Sequence, residues 1–122
     1  MDAHFNHCRS LLRILKNKNA TLIYPSTTIA ESISALQLRI NSPKTADQIL
    51  EFVKLGVFDI EPVDRDILIA ASSFLEEGRS RHATLFDGIV AAIAQKYKAD
   101  AIFSFDKFYE KKGFTLVSEL RK

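Results

Sequence analysis

The sequence predicts an α/β fold whose strands form a parallel sheet. Helical and strand-like segments alternate along all 122 residues, as they do in strand–helix–strand units. The strand-like segments are short and apolar, which is typical of the buried strands of a parallel sheet. The chain contains no repeat, linker or low-complexity tract, so we expect residues 1–122 to form a single domain. Crossovers between its strands should be right-handed.

The composition is that of a globular domain: 47% of the residues are hydrophobic and 26% are charged. A chain of this size can enclose a core without disulfides or metals. No apolar run is long enough to cross a bilayer, and the N-terminus lacks the apolar region of a signal peptide. A single cysteine, Cys8, excludes an internal disulfide and suits a reducing compartment. We therefore expect a cytoplasmic protein without a membrane segment.

Charge is distributed unevenly along the chain, although the formal net charge is only +2. Residues 79–122 contain nine Lys or Arg against five Asp or Glu, whereas residues 1–78 contain eight against ten. A basic C-terminal part would attract a polyanion such as a nucleic acid. A solvated surface explains the same charges equally well.

In the first half of the chain, hydrophobic spacing and helix-terminus residues predict three helices and two strands. Apolar residues at helical spacing predict a helix over His4–Lys18. The apolar run Thr21–Tyr24 is stopped by Pro25 and predicts a buried strand. Next come a helix that begins near Ser26 and reaches Ile40, a helix from Pro43 to Gly56, and a strand over Val57–Val63.

The second half repeats this alternation. Asp64 is a typical helix N-cap, and the helix that follows should bury Ile67, Ala71, Phe74 and Leu75 and end at Gly78. After a polar loop we expect a helix over Leu85–Lys98, a strand over Ala101–Phe105, a short helix over Asp106–Lys112 and a strand over Phe114–Val117.

Three acids follow strands or lie in the first turns of helices: Glu31, Asp87 and Asp106. Ligands of open parallel sheets bind beyond the carboxyl ends of the strands, so we expect these acids to share one sheet edge. Carboxylates that are brought together repel each other unless a cation is bound. Oxygen ligands favour Mg²⁺ or Mn²⁺. Such an ion polarises a phosphoryl oxygen and generates hydroxide for in-line attack.

The helical faces on which two of these acids lie support this interpretation. Glu31 shares a stripe with Ala35 and Leu38, which predicts a semi-buried position. Asp87 aligns with small residues at 91 and 94, beside an apolar stripe of Phe86, Val90, Ile93 and Tyr97. The alternative is that the acids only cap helices or complement their dipoles.

Three runs of residues resemble motifs of the PIN domain family. Residues 26–31 are similar to its "x-t-t-l-a-E" segment, residues 85–94 to its "l-x-D-A-L-I-A-A-x-A" helix, and residues 102–108 to its "i-x-T-x-D-x-D-F" segment. The resemblance implies a three-layer α/β/α sandwich in which Glu31, Asp87 and Asp106 are catalytic and hold the metal ion. Ser104 stands where the family has Thr. This implies that Ser104 orients one of the metal ligands without binding the metal itself.

The sequence also departs from the family pattern. The family begins with a strand that ends in its first metal-binding Asp, and nothing here matches that strand. In the family this strand is central, in a sheet of order three-two-one-four-five. Three alternatives would fill the position of this central strand. They are an upstream segment of the chain, direct pairing of the remaining strands with each other, or a strand from another chain. With the central strand absent, Thr21–Tyr24 should lie between Val57–Glu61 and Ala101–Phe105, with Phe114–Val117 beyond. Gly88 replaces the usual Ala.

The resemblance implies an endoribonuclease that hydrolyses RNA phosphodiesters through a metal-activated water, as the toxin of a VapC-like toxin–antitoxin pair. Its partners would be RNA, an antitoxin protein and a second copy in a homodimer. The basic residues beside these motifs could contact RNA phosphates, and a solvated surface is the alternative for the same residues: Arg79, Arg81, His82 and Lys107. One alternative is a catalytically impaired PIN-like module that binds RNA or a partner protein. Another is an unrelated doubly wound domain with capping acids.

Overall fold

The computed structural model describes residues 3–75 and 83–120 of the chain. They form a mostly helical α/β structure, which divides into a unit of Leu22–Ile93 and a unit of Met1–Thr21 with Ala94–Lys122. The elements in chain order are α1 (Ala3–Asn17), β1 (Ile23–Pro25), α2 (Ser26–Leu38), α3 (Pro43–Lys54), β2 (Asp59–Glu61), α4 (Arg65–Ser73), α5 (Leu85–Tyr97), α6 (Lys107–Lys111) and a 3₁₀ turn (Val117–Glu119).

The helices agree closely with the hydrophobic periodicity of the sequence. All six predicted helices are present, and their described ends lie near the predicted ones except in α4. That helix ends at Ser73, before the predicted end at Gly78, which lies outside the described residues. Its start agrees with the sequence, because the Asp64 carboxylate accepts a hydrogen bond from the backbone N–H of Ile67 at 3.0 Å. This bond satisfies a backbone donor that the first helical turn leaves unpaired.

Strands β1 and β2 pair in parallel, and Ile23 lies opposite Asp59. The predicted pairing of these two segments is therefore confirmed, although each strand has only three residues. Pro25 has no N–H to extend the ladder, and α2 begins at once. The Ser26 hydroxyl oxygen then accepts a hydrogen bond from the N–H of Val63 at 3.1 Å, so a side chain continues the pairing where the backbone has become helical.

In the described residues of the other unit, one parallel bridge joins Ile102 and Leu116. Its hydrogen bonds join Ile102 N to Thr115 O and Val117 N to Ile102 O, both at 2.9 Å. The predicted strands Ala101–Phe105 and Phe114–Val117 are therefore much shorter than expected.

Tight turns at both partners explain why this ladder is short. Ser104 N–H bonds back to Ile102 O at 3.1 Å, which bends the chain directly after the bridge. The 3₁₀ turn begins at Val117 and bends the second segment. The expected adjacency of Thr21–Tyr24 and Ala101–Phe105 joins residues of different units and stays a prediction.

A small-residue contact between α4 and α5 lies in the core of the Leu22–Ile93 unit. A Cβ atom on Gly88 would lie 2.6 Å from the carbonyl oxygen of Ala71, which is closer than real Cβ atoms approach. Ala71 itself is completely buried. The two backbones therefore meet only because residue 88 has no side chain. The surrounding core consists of Ile67, Ala71, Ile89, Ala92 and Ile93, with Ile23, Val63, Ala70 and Phe74 packed against it.

The other unit has buried residues of its own. Helix α1 buries Leu11 and Leu15, and Tyr109 of α6 is 4% exposed. The rings of His7 and Phe105 lie 5.0 Å apart. Within the described parts of the chain, no helix is both long enough and apolar enough to span a membrane.

The α4–α5 contact predicts that Gly88→Ala destabilises the protein. Alanine normally stabilises a helix interior by about 1 kcal/mol relative to glycine. Here the added methyl group collides with rigid backbone, and overpacking costs about 1–3 kcal/mol. The two effects together give a net loss of up to about 2 kcal/mol in the free energy of unfolding, measured by urea denaturation. Ser32→Ala, at an exposed position of α2, is the control and should leave stability equal or higher. A stabilised Gly88→Ala protein would contradict the close contact.

Candidate functional site

Glu31 lies on α2, the helix that starts directly at the carboxyl end of β1. It is the sixth residue of this helix, and its side chain is exposed. Its carboxylate forms no hydrogen bond or ion pair with any residue that the structure describes. The predicted semi-buried position is therefore wrong. The helix face that carries Glu31 is open to solvent, since Leu38 on the same stripe is 82% exposed. Both carboxylate oxygens of Glu31 are therefore accessible to a ligand.

Asp87 is the third residue of α5 and is half-buried. Its Oδ2 accepts a hydrogen bond from the backbone N–H of Thr84 at 2.8 Å and lies 3.4 Å from the Thr84 hydroxyl. An acid in this position satisfies a backbone donor just before the helix, as in a capping box. Asp87 therefore stabilises the start of α5, and this bond also fixes where its carboxylate lies.

Asp106 is the N-cap of α6 and accepts a hydrogen bond from Phe108 N–H at 2.9 Å. The other carboxylate oxygen accepts no hydrogen bond from the described residues. The Ser104 hydroxyl oxygen accepts a bond from the Asp106 N–H at 3.0 Å, so Ser104 holds the backbone that carries this acid. Lys107 is exposed at the start of α6. The remaining predicted RNA-binding residues, Arg79, Arg81 and His82, lie outside the described part of the chain.

An open groove runs along α2 past Glu31, with a volume of about 550 Å³. Phe86, which precedes Asp87, forms part of its wall. The sequence placed Phe86 in an apolar stripe of α5, and in the structure its side chain is 47% exposed. Arg39 was not predicted as a site residue from the sequence. Its spacing from Glu31 could have indicated it, because residues i and i+8 lie on the same side of a helix. The lining residues are Thr27, Ala30, Glu31, Ser34, Ala35, Leu38, Arg39 and Phe86.

Carboxylate oxygens are suitable ligands for Mg²⁺ or Mn²⁺, and the accessible oxygens of Glu31 and Asp106 fit such an ion. Within residues 3–75 and 83–120, no three His, Cys, Asp or Glu side chains form a group that could hold a metal ion. Glu31 and Asp87 belong to one unit and Asp106 to the other. Convergence of the three acids therefore stays a prediction.

Parallel strand pairing, with helix α2 starting directly after β1, defines a mostly helical α/β protein. A family model described as PIN domain matches residues 3–114. The chain therefore belongs to the PIN domain family, a family of nuclease fold whose members generally depend on divalent metals and typically act on RNA. No curated protein and no solved structure matches the chain.

Metal binding by the acids predicts that Mn²⁺ stabilises the folded protein. A ligand that binds only the folded state adds about 1.4 kcal/mol when its concentration is ten times the Kd. We expect Mn²⁺ to raise the free energy of unfolding, and Asp87→Asn or Glu31→Gln to remove most of this gain. Urea denaturation with and without Mn²⁺ measures it.

The matched control is Asp64→Asn, the same change at the helix-capping aspartate of α4. Because Asp64 is assigned no ligand role, its variant should keep the full gain. An equal response to Mn²⁺ in all four proteins would contradict a site at Glu31 and Asp87.

Proposed function

We propose that this protein is a Mg²⁺- or Mn²⁺-dependent endoribonuclease of PIN type. The observation that carries the proposal is the position of its acids. Glu31, Asp87 and Asp106 lie at or near the starts of α2, α5 and α6, within the region that matches the family. These helix starts are where a parallel α/β fold exposes ligand-binding groups.

The chain's own residues would position the ion and the substrate. Glu31, Asp87 and Asp106 would hold Mg²⁺ or Mn²⁺, which supplies Lewis acidity toward a phosphoryl oxygen and makes a bound water more acidic. Hydrogen bonds from Thr84 N–H and Phe108 N–H hold the two aspartates in place. Carboxylates held in this way need little reorganisation during the reaction.

We further propose that the substrate is single-stranded RNA and that the protein is the toxin of a VapC-like pair in the cytoplasm. Lys107, together with Arg79, Arg81 and His82, would contact RNA phosphates. An antitoxin or a second copy in a homodimer would cover exposed apolar side chains, because large apolar exposure often indicates a protein interface. The most exposed of these among the described residues are Leu38, Ile40, Leu55, Val57 and Ile69, each above 60%.

The second candidate function is a catalytically impaired PIN-like module that binds RNA or a partner protein. It is favoured because, within residues 3–75 and 83–120, no three His, Cys, Asp or Glu side chains form a group that could hold a metal ion. Such a module would bind RNA in EDTA and never cleave it.

The proposed function predicts slow, metal-dependent RNA cleavage that requires Asp87. Loss of a group beside a metal ligand typically costs ~10–100-fold in activity, and loss of a ligand should cost at least as much. We expect the cleavage rate of Asp87→Asn and of Glu31→Gln to be lower than that of the unchanged protein by about that factor or more. The measurement is a cleavage time course on a mixed-sequence single-stranded RNA with Mn²⁺ and with EDTA.

Asp64→Asn is again the matched control, and it should cleave at the rate of the unchanged protein. Cleavage that persists in EDTA, or that is equal in Asp87→Asn, would reject the metal-dependent mechanism. Binding without any cleavage in Mn²⁺ would support the impaired module instead.

A further inference from the structure

The groove beside Glu31 has the features of a nucleotide-binding surface. Its floor is one face of α2, because residues 27, 30–31, 34–35 and 38 recur at helical spacing. Three of these floor residues are small: Ala30, Ser34 and Ala35. No residue of α2 is fully buried. A flat group could therefore lie directly against this helix.

Phe86 provides an aromatic wall for that group. Its ring is 47% exposed and makes no ring contact with the described residues. It immediately precedes Asp87 in helix α5, whose carboxylate is fixed by Thr84, and it lines the same groove as Glu31. Every nucleobase has a π-face, and stacking on an exposed aromatic side chain requires no particular base.

Arg39 provides the positive charge that such a ligand needs. It is exposed at the C-terminal end of α2, and it forms no ion pair with the described residues. Eight residues of helix separate it from Glu31 by about 12 Å. This distance prevents a direct ion pair and leaves the guanidinium available to a phosphate, which it can bind in bidentate fashion.

We propose that this groove binds one nucleotide of a single-stranded RNA, with the base stacked on Phe86 and a phosphate at Arg39. The inference rests on the proposed function and names how its substrate is held. The groove volume of about 550 Å³ lies within the roughly 300–1,000 Å³ of small-ligand pockets. An uncharged apolar peptide would use Phe86 and Leu38 but would have no use for Arg39.

The test measures binding separately from cleavage. A short, fluorescently labelled, mixed-sequence RNA is titrated with the full chain in EDTA, and anisotropy gives the Kd. Loss of a stacking aromatic side chain weakens binding by about 5- to 150-fold per base, so we expect that loss in Phe86→Ala. Phe86→Tyr should bind like the unchanged protein. Arg39→Gln should weaken binding and reduce its dependence on salt, because one phosphate contact is removed.

Three comparisons make the result specific. Phe52 is 46% exposed on α3 and lies outside the groove, so Phe52→Ala should leave the Kd unchanged. An RNA of the same length without bases should bind equally to the unchanged protein and to Phe86→Ala. Phe86→Leu keeps the groove apolar but removes the stacking face, so it should bind RNA as weakly as Phe86→Ala.

The outcomes separate the inference from the proposed function. If Phe86→Ala and Phe86→Leu bind RNA as tightly as the unchanged protein while Asp87→Asn still abolishes cleavage, the nucleotide site is wrong and the ribonuclease stands. If Phe86→Leu binds RNA normally and only Phe86→Ala binds it more weakly, any apolar side chain at residue 86 is sufficient. The groove would then resemble a peptide-binding site, and base stacking would be rejected. RNA binding lost in Phe86→Ala with no cleavage under any condition would retain the site and reject the enzyme.

Discussion

Helices α4 and α5 approach closely because residue 88 has no side chain, and much of the Leu22–Ile93 unit depends on this contact. A methyl group there would lie 2.6 Å from Ala71 O. Ile89 and Ile93 are turned into the core on either side of the contact, and Asp87 and Phe86 immediately precede it. The position of α5 along α4 therefore determines where an acid and an aromatic ring are presented. Residues 86–88 therefore contain both the glycine that allows the helix contact and the two candidate site residues.

Two of the candidate site acids also stabilise the helices that carry them. Asp87 accepts the N–H of Thr84, and Asp106 accepts the N–H of Phe108. For Asp106, capping and ligand binding are compatible, because the carboxylate has two oxygens and Phe108 N–H bonds to only one of them. A carboxylate held by its own backbone loses less rotational freedom when a ligand binds. Glu31 has no such bond among the described residues and would be ordered only by its ligand.

The sequence predicted the helices well and the strands poorly, for physical reasons. Helices are local, so apolar spacing and capping residues such as Asp64 determine them. Strand length depends on partners that are distant in sequence, and the turn at Ser104 shortens the pairing at Ile102 in a way that apolar content does not reveal. On alanine-rich α5, small residues such as Ala91 are buried while Phe86 is exposed, because close packing favours small side chains. The motif positions predicted the three candidate acids. Glu31 and Asp106 belong to different units, so their distance from each other stays a prediction.

The short β1 strand has a consequence for behaviour at high concentration. Among the described residues β1 pairs with β2 alone, and a strand edge without a neighbour can recruit other chains into aggregates. Here the strand has three residues, its last is Pro25, which lacks an N–H, and the next residue already belongs to a helix. Such an edge offers a second molecule very few donors and no length over which to extend. The abrupt change from strand to helix that places Glu31 thus also limits how far another molecule could extend the β1–β2 ladder.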